Sequence, residues 1–404
     1  MSVRPATLVP TWAPAAWLAA LALAAACGSD HGGEADAAGG DGGLDAATDA
    51  GVTPWPFELP PGFPTPRRPP GQRLTPELAD LGRHLFYDVR LSGNGTQACA
   101  SCHAQSLAFT DGLVVPSGST GEVLRRNSMS LTNVAYNPTQ TWANHLLVHL
   151  EQQAPVPMFG ENPVELGITG HEEEVLARLR ADPRYQELHA RAFPGATGPL
   201  ELGEIVQALA AFQRRLISGR SSYDREHNGE PGAMSAAALR GEAMFFSETL
   251  ECHHCHGSFN LTIAVDHAGL AAPNPAFFNT GLYNVGGTSA YPPHDEGLYE
   301  LTRVATDRGR FRPPTLRNVA VTAPYMHDGS IATLDEVIRT YERGGRLVVD
   351  GPFAGDGREN LYKSPFVAGF TLTDDERADL RAFLEALTDD AFLTDPTLAD
   401  PFAP

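Results

Sequence analysis

The sequence predicts a mainly α fold in which one helical unit occurs twice in tandem, with long irregular loops between helices. Three observations carry this. The stretch "TPELADLGRHLFYD" leads into Cys99-x-x-Cys102-His103, and "SAAALRGEAMFFSE" leads into Cys252-x-x-Cys255-His256 in the same order. Two further runs, "PLELGEIVQALAAFQRRLIS" and "TDDERADLRAFLEAL", place apolar residues at helical spacing. The strand signal is weak throughout. A helix, a cysteine pair with its histidine, a loop and more helix, met twice, is the pattern that internal duplication leaves.

Taken in order, residues 1–27 read as a targeting segment. Arg4 is the only early charge, and "AAWLAALALAAAC" is too short and too small in its side chains to span a bilayer comfortably. The run ends at Cys27 in a sequence resembling a bacterial lipoprotein cleavage box, with Ala24 where that box prefers leucine. A mature protein in the periplasm or cell envelope, lipid-anchored at Cys27, is expected. Residues 28–72 are poor in anything to bury and then rich in proline, which predicts a disordered tether. The body divides into 73–230 and 231–404, with the boundary in "DREHNGEPGAM". In the first unit Thr75 is the expected N-cap and Pro76 the first helical residue. A formal net charge of −20 excludes a nucleic-acid partner.

Of the five cysteines, four form the two C-x-x-C pairs, each followed at once by histidine. C-x-x-C-H attaches c-type haem: the thiols add across two vinyl groups, and the histidine supplies the proximal axial ligand. With five cysteines and 14 histidines in 404 residues, one chance occurrence has an expectation on the order of 10⁻³. A structural zinc site would not explain a histidine after both pairs, and a thioredoxin-like dithiol would need one pair in a βαβ setting. Two covalent haems follow, in two cytochrome c-like domains, with His103 and His256 as proximal ligands. His253 and His254, inside the second motif, read as solvent-facing filler.

Beyond the motifs, three runs carry a resemblance: "RRNSMSLTN" from Arg125, the segment from Leu150 to Gly167 with "NPVELG", and "PPTLRNVAVTAPYMHDGSIATLDEVIRTY" from Pro313 to Tyr341. On these the chain resembles the bacterial di-haem cytochrome c peroxidase superfamily, which includes the MauG-type oxidases, over roughly residues 73–390. The resemblance implies that the N-terminal haem meets peroxide while the C-terminal haem passes electrons. It assigns Glu165 as the distal acid, Gln153 as a distal-pocket glutamine and Trp142 as the tryptophan between the haems. It places a calcium ion on Asn127, Thr322 and Pro324, whose hard oxygens suit Ca²⁺. The loop after the first motif has Ser119 near the position where resting peroxidases carry a blocking histidine, so the first iron should be open. The sixth ligand of the second haem, methionine in most peroxidases, falls on Tyr341, fourteen residues beyond His327. MauG-type enzymes use tyrosine there, and an anionic phenolate favours oxidised iron. Leu334, Ile338 and Tyr341 share one face of a helix capped by Thr333, with Glu336 as its box partner. Met326, inside "PYMHDG", is the competing ligand.

The leading expectation is an H₂O₂-dependent di-haem oxidase that oxidises a residue, plausibly tryptophan, of a secreted or periplasmic protein. The anchor, tether and tyrosine resemble the di-haem oxidases of methanobactin gene clusters. The alternatives are a peroxidase fed by a small cytochrome and a six-coordinate electron carrier, and Glu165 with the histidine-free loop speaks against the carrier.

Overall fold

Thr75 opens the first long helix as predicted: its hydroxyl accepts from the Leu78 N–H at 3.2 Å, and Pro76 takes the first position of Pro76–Tyr87. In the computed structural model, residues 55–403 are described. The targeting segment, Cys27 and the tether up to residue 54 lie outside them. Residues 55–71 of the expected tether lie against the body: Trp55 and Phe57 pack on the first core, and Arg67 pairs with Asp266 at 2.8 Å. Among the described residues, no helix is long and apolar enough to cross a membrane.

The repeat seen in the sequence is a repeat of packing. Pro76–Tyr87 crosses Leu202–Arg214 so closely that a Cβ at Gly82 would overlap the Ala208 carbonyl oxygen and press on Phe212. Four residues on, Phe86 meets Phe212 with ring centroids 5.1 Å apart. In the second unit Ala236–Phe245 crosses Asp374–Glu385, where a Cβ at Gly241 would overlap the Asp379 carbonyl oxygen and press on Phe383. Again four residues on, Phe245 meets Phe383 at 5.0 Å. Each crossing anchors its own apolar core, around Leu78, Leu85 and Phe212 in one and Phe245, Leu380 and Phe383 in the other.

Two helices that the sequence reading did not single out, Glu172–Arg180 and Pro183–Ala192, cover the first core with Val175, Leu179, Tyr185 and Leu188. Their apolar positions are few and separated by charged residues, so their periodicity is faint. The chain end returns to the first core: Phe392 and Leu398 bury there, and Gln105 Nε2 donates to the carbonyls of Phe392 and Asp395 at 3.0 and 2.9 Å. Among the described residues, strand is confined to one antiparallel pair of two-residue strands, Leu347–Val348 with Gly355–Asp356. The fold is mainly α, as expected.

Overpacking a tight crossing costs ~1–3 kcal/mol or more. Gly82→Ala and Gly241→Ala should each lower the Tm of the haem-loaded protein by several degrees. Gly203→Ala, in a helix with open space around it, should leave the Tm unchanged or raise it.

Candidate active site

The first motif folds as a tight turn, Cys99–Ser101, that sets Cys102 and His103 at its end. His103 Nδ1 lies 2.7 Å from the Phe109 carbonyl oxygen. A carbonyl only accepts, so Nδ1 carries the proton and Nε2 is the nitrogen that would bind a metal. Ala108 and Phe109 adopt left-handed backbone, φ 52° and 60°, which brings that carbonyl round to the ring. Burial, opposed by the Phe109 carbonyl, lowers the imidazole's affinity for a proton. Burial pushes the Cys99 thiol up to about 12 and Cys102 to about 11, and neither is in a disulfide.

Glu165 faces this motif: its charge is felt at both Cys99 and Cys102. Burial alone raises its carboxyl above the usual range. Ser119 is pinned beside it, its N–H donating to the Glu165 carbonyl at 2.7 Å, and Gly118 fits only because a Cβ would overlap the Val164 carbonyl. Gln153 ends the short helix Leu150–Gln153. The next helix, Pro155–Phe159, is tied to the Glu165 segment, Leu166 and Ile168 donating to the Pro157 and Met158 carbonyls at 2.9 Å. That pairing does not involve Gln153 itself, and no side-chain hydrogen bond among the described residues holds its amide.

The second motif opens on a cavity of about 220 Å³ lined by Cys252, Cys255 and His256. Burial holds His256 down to about 4, with the Leu261 and Pro314 carbonyls working against the shift, and pushes both thiols up to about 12. Tyr341 lines the same cavity. Burial pushes its phenol well up, and the Cys255 and Cys252 thiols add to the shift. Its helix, Leu334–Glu342, is capped by Thr333, which accepts from the Glu336 N–H at 3.2 Å; the expected return bond to the Glu336 carboxylate does not form. Leu334, Val337, Ile338 and Tyr341 present one face to the cavity. Met326 also lines it, held with left-handed backbone at φ 72°.

The cavity runs on past Trp142, Asn127, Thr322 and Pro324 to Thr110, in the loop that follows His103. Trp142 Nε1 donates to the Asn127 carbonyl at 2.9 Å, which fixes the indole. The Asn127 amide nitrogen donates to the Leu113 carbonyl at 2.7 Å, leaving its side-chain oxygen for another partner. The structure thus gathers Tyr341, Trp142 and the three expected calcium ligands around one cavity, with Glu165 near the first motif.

The sequence reading missed Arg312. It is 3% exposed, lines the cavity, and reaches only the Thr141 carbonyl and Asn137 Oδ1 at 3.3 Å and Met129 Sδ at 3.8 Å. Burial lowers its guanidinium to about 10, and among the described residues no carboxylate answers it. A buried cation needs an anion. A haem propionate supplies one, so donor set, thiols, neutral imidazole and counter-charge together fit the cofactor. The matching sequence run begins at Pro313, one residue past it.

Residues 76–232 match the family model described as di-haem cytochrome c peroxidase. Cytochrome-c peroxidase IdrP1 of Denitromonas iodatirespirans is 34% identical over 85% of this chain and 87% of its own length. Methylamine utilization protein MauG of Methylorubrum extorquens is 32% identical over 85% of this chain and 86% of its own. A crystal structure of a MauG-like protein associated with microbial copper homeostasis superposes with a TM-score of 0.84 at 46% identity, covering 87% of this chain and all of that one. The chain belongs to the di-haem cytochrome c peroxidase family.

Proposed function

We propose that this di-haem enzyme uses H₂O₂ to oxidise a residue, tryptophan first among candidates, of a partner protein in MauG fashion. The observation that supports this over electron carriage or simple detoxification is Tyr341 facing Cys252, Cys255 and His256 across a cavity that continues to Trp142. The two c-type haems, attached at Cys99 and Cys102 and at Cys252 and Cys255, supply the redox chemistry and the iron that peroxide meets. The chain's residues do the rest. His103 is oriented by the Phe109 carbonyl so that its Nε2 faces the metal position. Ser119, held by its backbone beside Glu165, is no competing imidazole. Glu165, with its proton affinity raised by burial, takes a proton from peroxide and returns it to the departing oxygen. Two electrons and two protons convert H₂O₂ to two waters, and the partner residue loses the two electrons. Gln153 borders the peroxide side; Trp142, fixed by Asn127, stands on the electron route. Arg312 counters a propionate. Asn127, Thr322 and Pro324 hold Ca²⁺ through oxygens and stiffen this wall.

The targeting segment supports export to the periplasm or cell envelope with a lipid on Cys27. Likeness to a MauG-like protein associated with microbial copper homeostasis supports a MauG-like role in that setting. The 34% identity to cytochrome-c peroxidase IdrP1 favours a second reading, reduction of H₂O₂ with electrons from a small cytochrome. Steady turnover of peroxide by a reduced small cytochrome, without modification of any protein, would establish that reading instead.

EPR of the ferric protein should show one high-spin and one low-spin haem. Tyr341→Phe should convert the low-spin signal to high-spin, and an unchanged low-spin signal would leave Met326 as the ligand. Glu165→Gln should lower kcat/KM for peroxide by roughly 10²–10⁴ with both EPR signals unchanged; stopped-flow mixing with H₂O₂ reads the loss.

A further inference from the structure

The histidines inside the second motif are not the solvated filler that the sequence suggests. Their side chains are only 24% and 30% exposed. Both turn their Nε2 edges toward Glu248: His253 Nε2 lies 3.5 Å from Oε1, and His254 Nε2 lies 3.6 Å from Oε2. Donor atoms of all three residues fall within 4.8 Å of one another. These separations are long for hydrogen bonds. They suit an ion instead: two ligands about 2.1 Å from one tetrahedral centre stand roughly 3.4 Å apart.

The rings are clamped in place. His254 stacks on Phe366 with centroids 4.2 Å apart at 11°, and His253 packs against its other face at 4.2 Å and 33°. Ligands already ordered lose little freedom on binding. Glu251 adds to the clamp: its Oε2 lies 2.6 Å from His254 Nε2, an ion-pair separation that holds the ring.

We propose that Glu248, His253 and His254 bind a late first-row divalent cation, Zn²⁺ or Cu²⁺. Two imidazoles and a carboxylate select such ions over Ca²⁺ or Mg²⁺. Because His253 and His254 lie between Cys252 and Cys255, the ion rides on the loop that carries the C-terminal haem. Its positive charge favours the reduced iron and raises that haem's potential. The site is independent of which partner the enzyme oxidises.

The test compares three haem-loaded full-length proteins: wild type, the double variant His253→Gln/His254→Gln, and Glu248→Gln. After equilibrium dialysis with Zn²⁺, the wild type should retain one more ion per chain than the double variant. Cu²⁺ should give EPR lines split by imidazole nitrogen in the wild type and not in the double variant. Glu248→Gln should bind Zn²⁺ at least about tenfold more weakly, and Zn²⁺ should raise the midpoint potential of the C-terminal haem in the wild type alone. Equal retention by wild type and double variant, or nitrogen splitting that survives the double substitution, overturns the proposal. Should the double variant fail to take up haem, Glu248→Gln decides, since that side chain is 80% exposed; wild-type affinity there also overturns it.

Discussion

A buried knot of hydrogen bonds sets the register in which everything else is arranged. Asp389 Oδ2 accepts from the Ser218 hydroxyl and from the N–H groups of Gly219 and Arg220, each at 3.0 Å. Asn318 donates to the Ser218 hydroxyl at 3.0 Å and accepts the Asp389 N–H at 2.8 Å. Asn133 accepts the Ser218 N–H at 2.7 Å and donates to Asn260 Oδ1 at 2.9 Å. All five side chains are buried. Each bond removed would leave a polar group unpaired at ~1–3 kcal/mol, so the segments that meet here have one satisfactory alignment. Asn133 ends the run bearing Asn127, Asn318 lies in the run that leads to Met326 and Tyr341, and Asp389 precedes the chain end that packs on the first core. The cavity walls take their alignment from this knot.

Around that frame the two motifs are environments made by burial. The imidazoles of His103 and His256 are driven toward the neutral form, and all four thiols are held protonated, by the same exclusion of water. The tight helix crossings at Gly82 and Gly241 produce that exclusion, because they let aromatic residues close over each core. The sites then diverge. Beside the first stands a carboxylate without a counter-ion, suited to moving a proton; across the second stands a phenol, suited to closing a coordination position.

Charge balance explains the middle of the molecule. Arg312 is a cation buried without a carboxylate among the described residues, whereas Arg317, five residues on, is matched by Asp224 at 2.8 Å. Arg317 therefore serves the protein's own stability. Arg312 is left for an anion brought from outside the polypeptide.

Much of this was legible in the sequence because it is local. Attachment chemistry depends on residues three and four apart, capping by Thr75 and Thr333 on one turn, and the helices on a strong 3.6-residue period. The two motifs, the mainly α class, the repeat and the helical face of Tyr341 were all determined there. The helices Glu172–Arg180 and Pro183–Ala192 were faint because their apolar positions are sparse, and Arg312 was silent because an arginine's lack of a partner is a property of distant neighbours. Likewise His253 and His254 look like filler until Glu248, Glu251 and Phe366 close around them. Burial, pairing and the approach of residues more than a hundred positions apart are consequences of packing, and only the tertiary structure decided which side chains share a wall and which charge stays unanswered.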